Sequence, residues 1–336
     1  MSTSIDAADC ELSRLLELER RDVADAGGFL RWRLGASRPE YLVMRADVAK
    51  VMSRVALFYK AGWDAAHLGM ALLDTYYVRG GRLAPELAGF ALLWSAVCYV
   101  DDPGASEVEG KKDPEERSLS MVVQRWQLVV QALELGWKER PAFFSQPPAV
   151  VCSFFKDAQA QVLAVVGWRL NRATANVLLK SMLELNLHAD DDEIDGRKVT
   201  EQERAQVSQD AQTFCSMAVL RGFSYLYTHS VVAVACLQAA RHVYGIRPVW
   251  TSAFGASCRA TNEQVVDSCV RELVSAYYEE RSHEHRECPQ TPQKERTACA
   301  LAVASVQASV QEPSPSTSPS PSPSASSQAS SSAPGS

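Results

Sequence analysis

The sequence predicts an all-α protein, and three observations carry that prediction. Apolar residues recur at spacings of three and four over most of residues 9–280, which is typical of amphipathic helices. Sustained alternation of apolar and polar residues is nearly absent, so strands are not expected. Glycine and proline separate the periodic segments from one another, as expected for helices joined by turns.

The first half of the chain contains a front helix and five further periodic segments. Asp64 is a good N-cap residue, and the Gly80-Gly81 pair is expected to end the helix that it begins. The segment 84–100 carries Pro85 in its first turn and is apolar on nearly all sides, which predicts a central, enclosed helix. The predicted helices of this half span residues 9–25, 43–59, 64–79, 84–100, 118–138 and 149–166.

The second half repeats this design around a central helix at 229–243. Its predicted helices span residues 173–187, 200–222, 229–243, 248–257 and 261–280. We therefore expect two tandem bundles of five helices, preceded by an N-terminal helix and followed by a disordered tail. The corresponding segments are residues 1–39 (helix and linker), 40–168 (first bundle), 169–281 (second bundle) and 282–336 (tail). Serine and proline make up nearly all of the last part of the tail, which cannot bury enough apolar area to offset its ordering entropy.

Composition and charge exclude several classes of protein. The chain has 336 residues, 46% of them apolar, and a net charge of −6, which argues against binding nucleic acid as a main activity. No apolar run reaches the roughly 18–20 residues of a membrane span, and the N-terminus lacks the apolar core of a signal peptide. Nine cysteines without a C-x-x-C pair indicate free thiols in a reducing compartment, so we expect the protein in the nucleus and cytoplasm. Buried thiols are expected at Cys98, Cys152, Cys215, Cys236, Cys258 and Cys269.

Catalytic motifs are scarce. The sequence has no glycine-rich phosphate loop, no G-x-S-x-G and no H-E-x-x-H, and we expect neither a cofactor nor a metal. The strongest enzymatic signal is Asp191, Asp192 and Asp195, which form D-D-x-x-D in the segment ADDDEID. Such carboxylates hold magnesium and a diphosphate in class I terpene synthases, and a solvated acidic loop is the alternative interpretation.

Five segments, in order, resemble the cyclin-box family. MRADV at 44–48 resembles M-R-A-I-L, LLDTYY at 72–77 resembles L-(L/V)-D-R-F-L, and LLWSAVCYVDD at 92–102 resembles the stretch ending L-A-S-K-x-E-E. AQAQVLAVVGWRLNRAT at 158–174 resembles E-x-x-V-L-x-x-L-x-W-x-L-x-x-x-T, and residues 225–250 are similar to a second-box helix and its following tryptophan. The front helix is also faintly similar to the lead-in of D-type cyclins.

The resemblance implies a protein that regulates a kinase and has no active site of its own. Cyclins bind a cyclin-dependent serine/threonine protein kinase through the third and fifth helices of the first box and push a kinase helix into its active position. It also implies an internal pair between Arg45 and Asp74, which links the first two helices of the box. The implied kinase-binding residues are Tyr99, Asp101, Asp102, Lys156 and Gln159.

Several positions depart from the family pattern. Tyr99 stands where cyclins have a lysine and Gln159 where they have a glutamate, so both lack the charge of the usual kinase contacts. The resemblance also implies a docking surface for substrate or inhibitor peptides, formed here by Met44, Asp47, Val48 and Val51. Asp47 places a charge where a bound apolar side chain would be buried, which predicts a weak dock or one that favours basic peptides.

The tail carries candidate phosphorylation sites. Thr291 lies in T-P-Q-K, which matches the S/T-P-x-K preference of cyclin-dependent kinases, and four serines precede prolines. Each phosphate would add about −1.5 to −2 charge. The four serines are Ser314, Ser318, Ser320 and Ser322.

Three functional interpretations remain open at the level of sequence. The first is a divergent cyclin that binds and activates a cyclin-dependent kinase in cell-cycle control. The second is a cyclin-fold adaptor that binds proteins without activating a kinase. The third is an isoprenoid-type synthase that uses Asp191, Asp192 and Asp195.

Overall fold

The computed structural model describes residues 2–25, 39–57, 62–100, 123–124, 126–129, 148–185, 192–247 and 263–287. These residues are mostly helical, with a single two-stranded hairpin among them, so the protein is all-α. They belong to one compact unit, Met1–Pro289. None of the described helices is both long and apolar enough to cross a membrane.

The first group of helices packs around its third member and is preceded in the sequence by α1 (Ser2–Asp25). The helices of the group are α2 (Pro39–Ala56), α3 (Gly62–Val78), α4 (Pro85–Val100) and α5 (Pro148–Val166). Helix α4 contacts α2, α3 and α5, and ten of its residues are buried. This agrees with the expectation of a central apolar helix at 84–100.

Two glycines allow the helices of this group to approach closely. A Cβ atom on Gly89 of α4 would lie 2.6 Å from Cγ1 of Val48 on α2. A Cβ atom on Gly69 of α3 would lie 2.7 Å from Cε of Met52 and 3.3 Å from Cα of Leu93. The distances to Val48 and Met52 are shorter than real contacts, so a larger residue at either glycine would require these side chains to move.

The second group packs around α9. It consists of α6 (Ala175–Glu184), α7 (Glu201–Leu220), the short α8 (Phe223–Leu226), α9 (His229–Val243) and α10 (Glu263–Glu287). Helix α9 contacts α6, α7 and α10, and twelve of its residues are buried. A capping box of Thr200 and Glu203 begins α7, and Thr228 caps α9 by accepting a hydrogen bond from the Val231 amide.

Helix α1 lies against α6 and α9 of the second group, although the sequence places it before the first. Leu12 and Leu15 are its buried anchors. The Glu19 carboxylate is also buried and accepts a 2.8 Å hydrogen bond from the Ser230 amide in the first turn of α9. The side chain of Glu19 therefore satisfies one of the free amides at the start of α9.

The structure differs from the sequence prediction at a hairpin and at several helix boundaries. Residues 190–196 were expected as an acidic loop, but β1 (Glu193–Ile194) and β2 (Arg197–Lys198) form an antiparallel hairpin there. Helix α8 was not predicted, α1 begins before residue 9, and α10 continues to Glu287 rather than ending near 280. Cys98 is exposed rather than buried, whereas Cys215, Cys236 and Cys269 are buried free thiols.

Candidate functional site

A buried ion pair joins the first two helices of the first group. Arg45 on α2 and Asp74 on α3, the two residues that the resemblance pairs, lie 2.8 Å apart between Nη2 and Oδ2. A second bond of 3.0 Å runs from Nε of Arg45 to Oδ1 of Asp74, so the contact is bidentate. The Arg45 side chain is 4% exposed and that of Asp74 15%, and each charge therefore depends on the other for its stabilisation.

Arg45 also contacts the second group of helices, which sequence analysis did not predict. Its Nη1 donates a 2.8 Å hydrogen bond to the carbonyl oxygen of Val219 at the end of α7. Its Nη2 donates a 3.0 Å bond to Oγ of Ser224 in α8. The Tyr41 hydroxyl donates a 2.5 Å hydrogen bond to Oδ1 of Asp74, the oxygen that Nε of Arg45 also binds. We call these five residues the Arg45 node, and they tie α2 and α3 to the junction of α7 and α8.

The predicted kinase-facing residues lie on α4 and α5. Tyr99 stands in the last turn of α4 and is 43% exposed. Lys156 on α5 is exposed as well. Asp101 and Asp102 lie outside the described residues, so the end of this surface beyond α4 is not described.

Gln159 has an internal partner. Its Nε2 donates a 3.0 Å hydrogen bond to Oγ of Ser95 on α4, and the Ser95 hydroxyl donates to the carbonyl of Ala91. This bond, together with an edge contact between Phe90 and Phe155 with ring centroids 4.8 Å apart, fastens α5 to α4. One of the two polar groups of the Gln159 amide is therefore used within the protein.

Sequence analysis missed an exposed aromatic residue on α5. Phe154 is 56% exposed, whereas its neighbour Phe155 is completely buried. Adjacent helical residues point about 100° apart, so two consecutive phenylalanines cannot both face one core, and this is the signal that could have identified Phe154. Val150, one helical turn earlier, is also exposed. Lys156 and Phe154 give the exposed side of α5 both a charge and apolar area.

Only part of the predicted docking surface is accessible. Val48 and Val51 are completely buried, because α2 packs directly on α4, where Val48 meets Gly89. Met44 is half-buried, and Asp47 forms a 3.7 Å ion pair with Lys50 one turn later. A peptide dock on this helix would therefore depend on Met44 and Asp47.

The D-D-x-x-D motif does not form a set of three available carboxylates. Asp192 is completely buried, and both of its oxygens bind Arg241 of α9, at 2.7 and 2.8 Å. Asp195 lies in the exposed turn of the hairpin, and Asp191 lies outside the described residues. Both earlier interpretations of Asp192 are wrong, since its carboxylate is neither solvated nor open to magnesium. No cluster of three or more potential metal ligands occurs within the described ranges.

Two histidines, one buried and one partly exposed, lie near each other between the helical groups. His67 of α3 is 2% exposed, and neither of its ring nitrogens has a hydrogen-bond partner among the described residues. Burial, with a smaller contribution from charge repulsion by the nearby His229 and Lys180, lowers the pKa of His67 to about 3. Burial also lowers the pKa of His229 to about 4, against the opposing effect of Asp74. Both imidazoles are neutral at pH 7.

The tail predictions fall outside the described residues. This applies to Thr291, Ser314, Ser318, Ser320 and Ser322. No family model and no curated protein matches this chain.

Proposed function

We propose that this chain is a divergent cyclin that binds and activates a cyclin-dependent serine/threonine protein kinase in cell-cycle control. In this proposal the two groups of helices are tandem five-helix cyclin-like bundles. The observation that carries the proposal is the buried pair of Arg45 and Asp74, at 2.8 Å, between the two helices that the resemblance assigns to it. The ordered series of family-like segments over residues 44–250 supports the proposal.

The kinase contact in this proposal uses exposed groups at the end of α4 and on α5. Tyr99 offers a hydroxyl that can donate and accept hydrogen bonds, and Phe154 offers apolar area. Lys156 supplies the positive charge that Tyr99 lacks. Neutral bonds are about half as strong as charge-assisted ones, so a kinase bound here would rely more on apolar contact than the usual pairing does. The proposal places the complex in the nucleus and cytoplasm.

The adaptor function remains as a second candidate because of Gln159. Its amide donates to Ser95, so this position helps to hold α5 against α4. A surface with one neutral hydroxyl and a partly occupied amide can bind a kinase without moving the helices of that kinase into their active arrangement. Binding and activation must therefore be measured separately.

The experiment compares tagged chains recovered from cells. The eluate is assayed for a co-purifying cyclin-dependent kinase and, separately, for phosphorylation of histone. Variant Tyr99→Ala should lose the kinase, because it removes an exposed ring and hydroxyl from the contact surface. Variant Tyr99→Lys should retain the kinase and raise its activity, since it introduces the charge that the family has at this position.

Leu226→Ala is the matched control, because Leu226 is 45% exposed, close to the exposure of Tyr99, and lies on α8 in the second group. Leu226→Ala should leave both the amount of recovered kinase and the phosphorylation of histone unchanged. Circular dichroism should give the same helical signal for all four chains. Kinase that is recovered in an inactive form would favour the adaptor. Folded wild-type protein that recovers no kinase would refute the proposed activation.

A further inference from the structure

The outward side of α2 presents a stripe of accessible side chains. They recur at spacings of three and four from residue 43 to residue 57, so they lie within about 100° of one another around the helix axis. The opposite side faces the core, where Val48, Val51 and Val55 are completely buried. Leu57 follows the last residue of α2, but its amide still donates to the carbonyl oxygen of Ser53 at 3.2 Å and so continues the helical geometry. We call the following residues the α2 stripe: Val43, Ala46, Asp47, Lys50, Arg54 and Leu57.

The α2 stripe is apolar at both of its ends. Val43 is 77% exposed and Leu57 is 56% exposed, so neither side chain is used in the core. The two residues are separated by fourteen positions, which is about 21 Å along a helix. Single exposed apolar residues are common on protein surfaces, so these ends alone do not identify what covers the stripe.

The charges between these ends have an order that is complementary to its own reverse. Along the helix the stripe reads apolar, negative, positive, positive, apolar, with Asp47 3.7 Å from Lys50. Two parallel copies would place each charge opposite the same charge. In two antiparallel copies with Lys50 at the two-fold axis, Val43 of each copy lies opposite Leu57 of the other. Asp47 then lies about 4.5 Å from the axis, between Lys50 and Arg54 of the other copy, which lie at the axis and about 6 Å from it.

We propose that the α2 stripe is the contact surface of a homodimer, in which α2 of one copy lies antiparallel to α2 of a second copy. A two-fold contact brings the same surface of both copies together, so it requires the self-complementary order that this stripe has. Each Lys50 near the axis has Asp47 of its own chain at 3.7 Å and gains Asp47 of the other copy. Ala46 lies opposite Arg54 of the other copy, where its small side chain leaves room for the apolar stem of the arginine.

The size of the stripe predicts a weak dimer. One helical stripe is smaller than the roughly 800 Å² per partner that stable complexes bury, so we expect a dissociation constant on the order of 10–100 µM. The stripe contains none of the proposed kinase-binding residues, so this inference stands apart from the proposed function. It does contain Asp47 and borders Met44, so a dimer and a peptide docked at these two residues would exclude each other.

The test measures the mass of the full chain by sedimentation equilibrium from about 5 to about 300 µM, a range that spans the expected dissociation constant. A reducing agent is present because Cys10 and Cys98 are exposed. The wild type should rise from the monomer mass of 36.8 kDa toward twice that value. Added salt should weaken the association, because the proposed contacts between opposite charges are screened.

An exchange of charges tests the pairing of Asp47 with Arg54. In its own dimer, Asp47→Arg places positive charges opposite each other, and Arg54→Asp places negative charges opposite each other. Each variant alone should therefore dimerise about tenfold more weakly than the wild type. An equimolar mixture of the two variants restores opposite charges at both contacts and should dimerise about as tightly as the wild type. A residue that only supports the fold would not give this rescue.

A second variant tests the apolar ends. Val43→Gln should also weaken the dimer about tenfold, because the contact of Val43 with Leu57 occurs twice in a two-fold dimer. Arg271→Asp is the matched control, since it reverses an exposed charge on α10, outside the stripe, and should leave the association unchanged. Circular dichroism should give the same helical signal for every variant.

Several results would overturn the proposal. These are a wild type that stays monomeric over the whole range, a mixture of the two charge variants that does not associate, and an equal loss of association in Arg271→Asp. A monomeric wild type that binds a fluorescein-labelled arginine-rich peptide through Asp47 would assign this side of α2 to peptide docking and would refute the dimer.

Discussion

Arg45 belongs to the first group of helices by sequence but is bonded to both groups. The motif MRADV could predict a partner on the next helix, because family-like positions pair these two residues. Val219 and Ser224, to which Arg45 donates hydrogen bonds, lie 174 and 179 residues later in the sequence. No local pattern encodes such a contact. The sequence therefore predicted one of the two connections that this residue makes.

Removing Arg45 should destabilise the protein far more than removing an exposed cation on the same helix. Variant Arg45→Met leaves the buried Asp74 carboxylate without its cation and should cost about 3–5 kcal/mol. Lys50→Met disrupts the exposed pair with Asp47 at 3.7 Å and should cost less than about 1 kcal/mol. Urea unfolding followed by circular dichroism measures both. Equal midpoints for the two variants would contradict the structural importance of the Arg45 node.

Asp192 illustrates why a motif does not define a site. Its neighbours in sequence suggested a metal ligand or a solvated loop, and both interpretations depended only on spacing. The decisive contact is with Arg241, 49 residues later, whose guanidinium binds both carboxylate oxygens. A buried arginine needs a carboxylate, and this requirement becomes visible only when α9 is in place.

At the scale of elements, α1 is held by polar as well as apolar contacts with the second group. The apolar positions predicted a helix with one buried face, and Leu12 and Leu15 are indeed buried. The same face continues to Glu19, a residue type that a pattern assigns to solvent. Its burial depends on the free amides at the start of α9, which provide the hydrogen bond that the carboxylate needs.

Loss of the Glu19 carboxylate should loosen the start of α9. Variant Glu19→Ala removes the acceptor for the buried Ser230 amide and should lower stability by about 1–2 kcal/mol. Hydrogen exchange should show faster exchange at Ser230 in this variant. Glu17→Ala is the control, because Glu17 is exposed and pairs only within α1 in the contacts described, with Arg20 and Arg21. If both variants exchange alike at Ser230, Glu19 does not cap α9.

Local signals predicted helices well and boundaries less well. The range 229–243 matches α9 because Thr228 is a strong cap signal and the helix that follows is apolar. The hairpin was missed because each strand is only two residues long and three of the four strand residues are charged, so no alternation identified them. Asp195 and Gly196, both with positive φ, form its turn, and the Asp-Gly pair was the signal available. The pairing of Glu193 with Arg247, far along the chain, stabilises an element that local sequence does not favour.

At the scale of the whole molecule, polar contacts between the two groups of helices are concentrated around α3. Its Asp64 binds Asn176 at 2.6 Å and Lys180 at 2.5 Å on α6, and its Asp74 belongs to the Arg45 node. His67 lies between these two positions on the same helix, with His229 of α9 nearby. Composition and periodicity predicted two groups of helices, but they could not indicate that charged and imidazole side chains would be buried where the groups meet.

The buried imidazole at this junction should make stability depend on pH. The pKa of His67 is about 3 in the folded protein and about 6.5 in an unfolded chain, so the unfolded state binds more protons between these values. Stability should therefore be complete above pH 6.5 and fall as the pH drops toward 3. At pH 5 the loss from this residue is about 2 kcal/mol. Lys180 and His229 lie near the ring of His67 and disfavour its protonation. The negative charge of Asp74 acts on His229, whose pKa it raises.

Variant His67→Leu tests this dependence, because it removes the titrating ring and two nitrogens without hydrogen-bond partners in the described residues. The difference in unfolding free energy between pH 7 and pH 5 should shrink by about 2 kcal/mol relative to wild type. Leu68→Met on the same helix changes packing but adds no ionisable group, so its pH profile should run parallel to that of the wild type. Urea titrations at several pH values measure all three chains. If the unfolding free energy of His67→Leu depends on pH as steeply as that of the wild type, acid acts on the fold through other groups. The junction would then not limit stability below neutral pH.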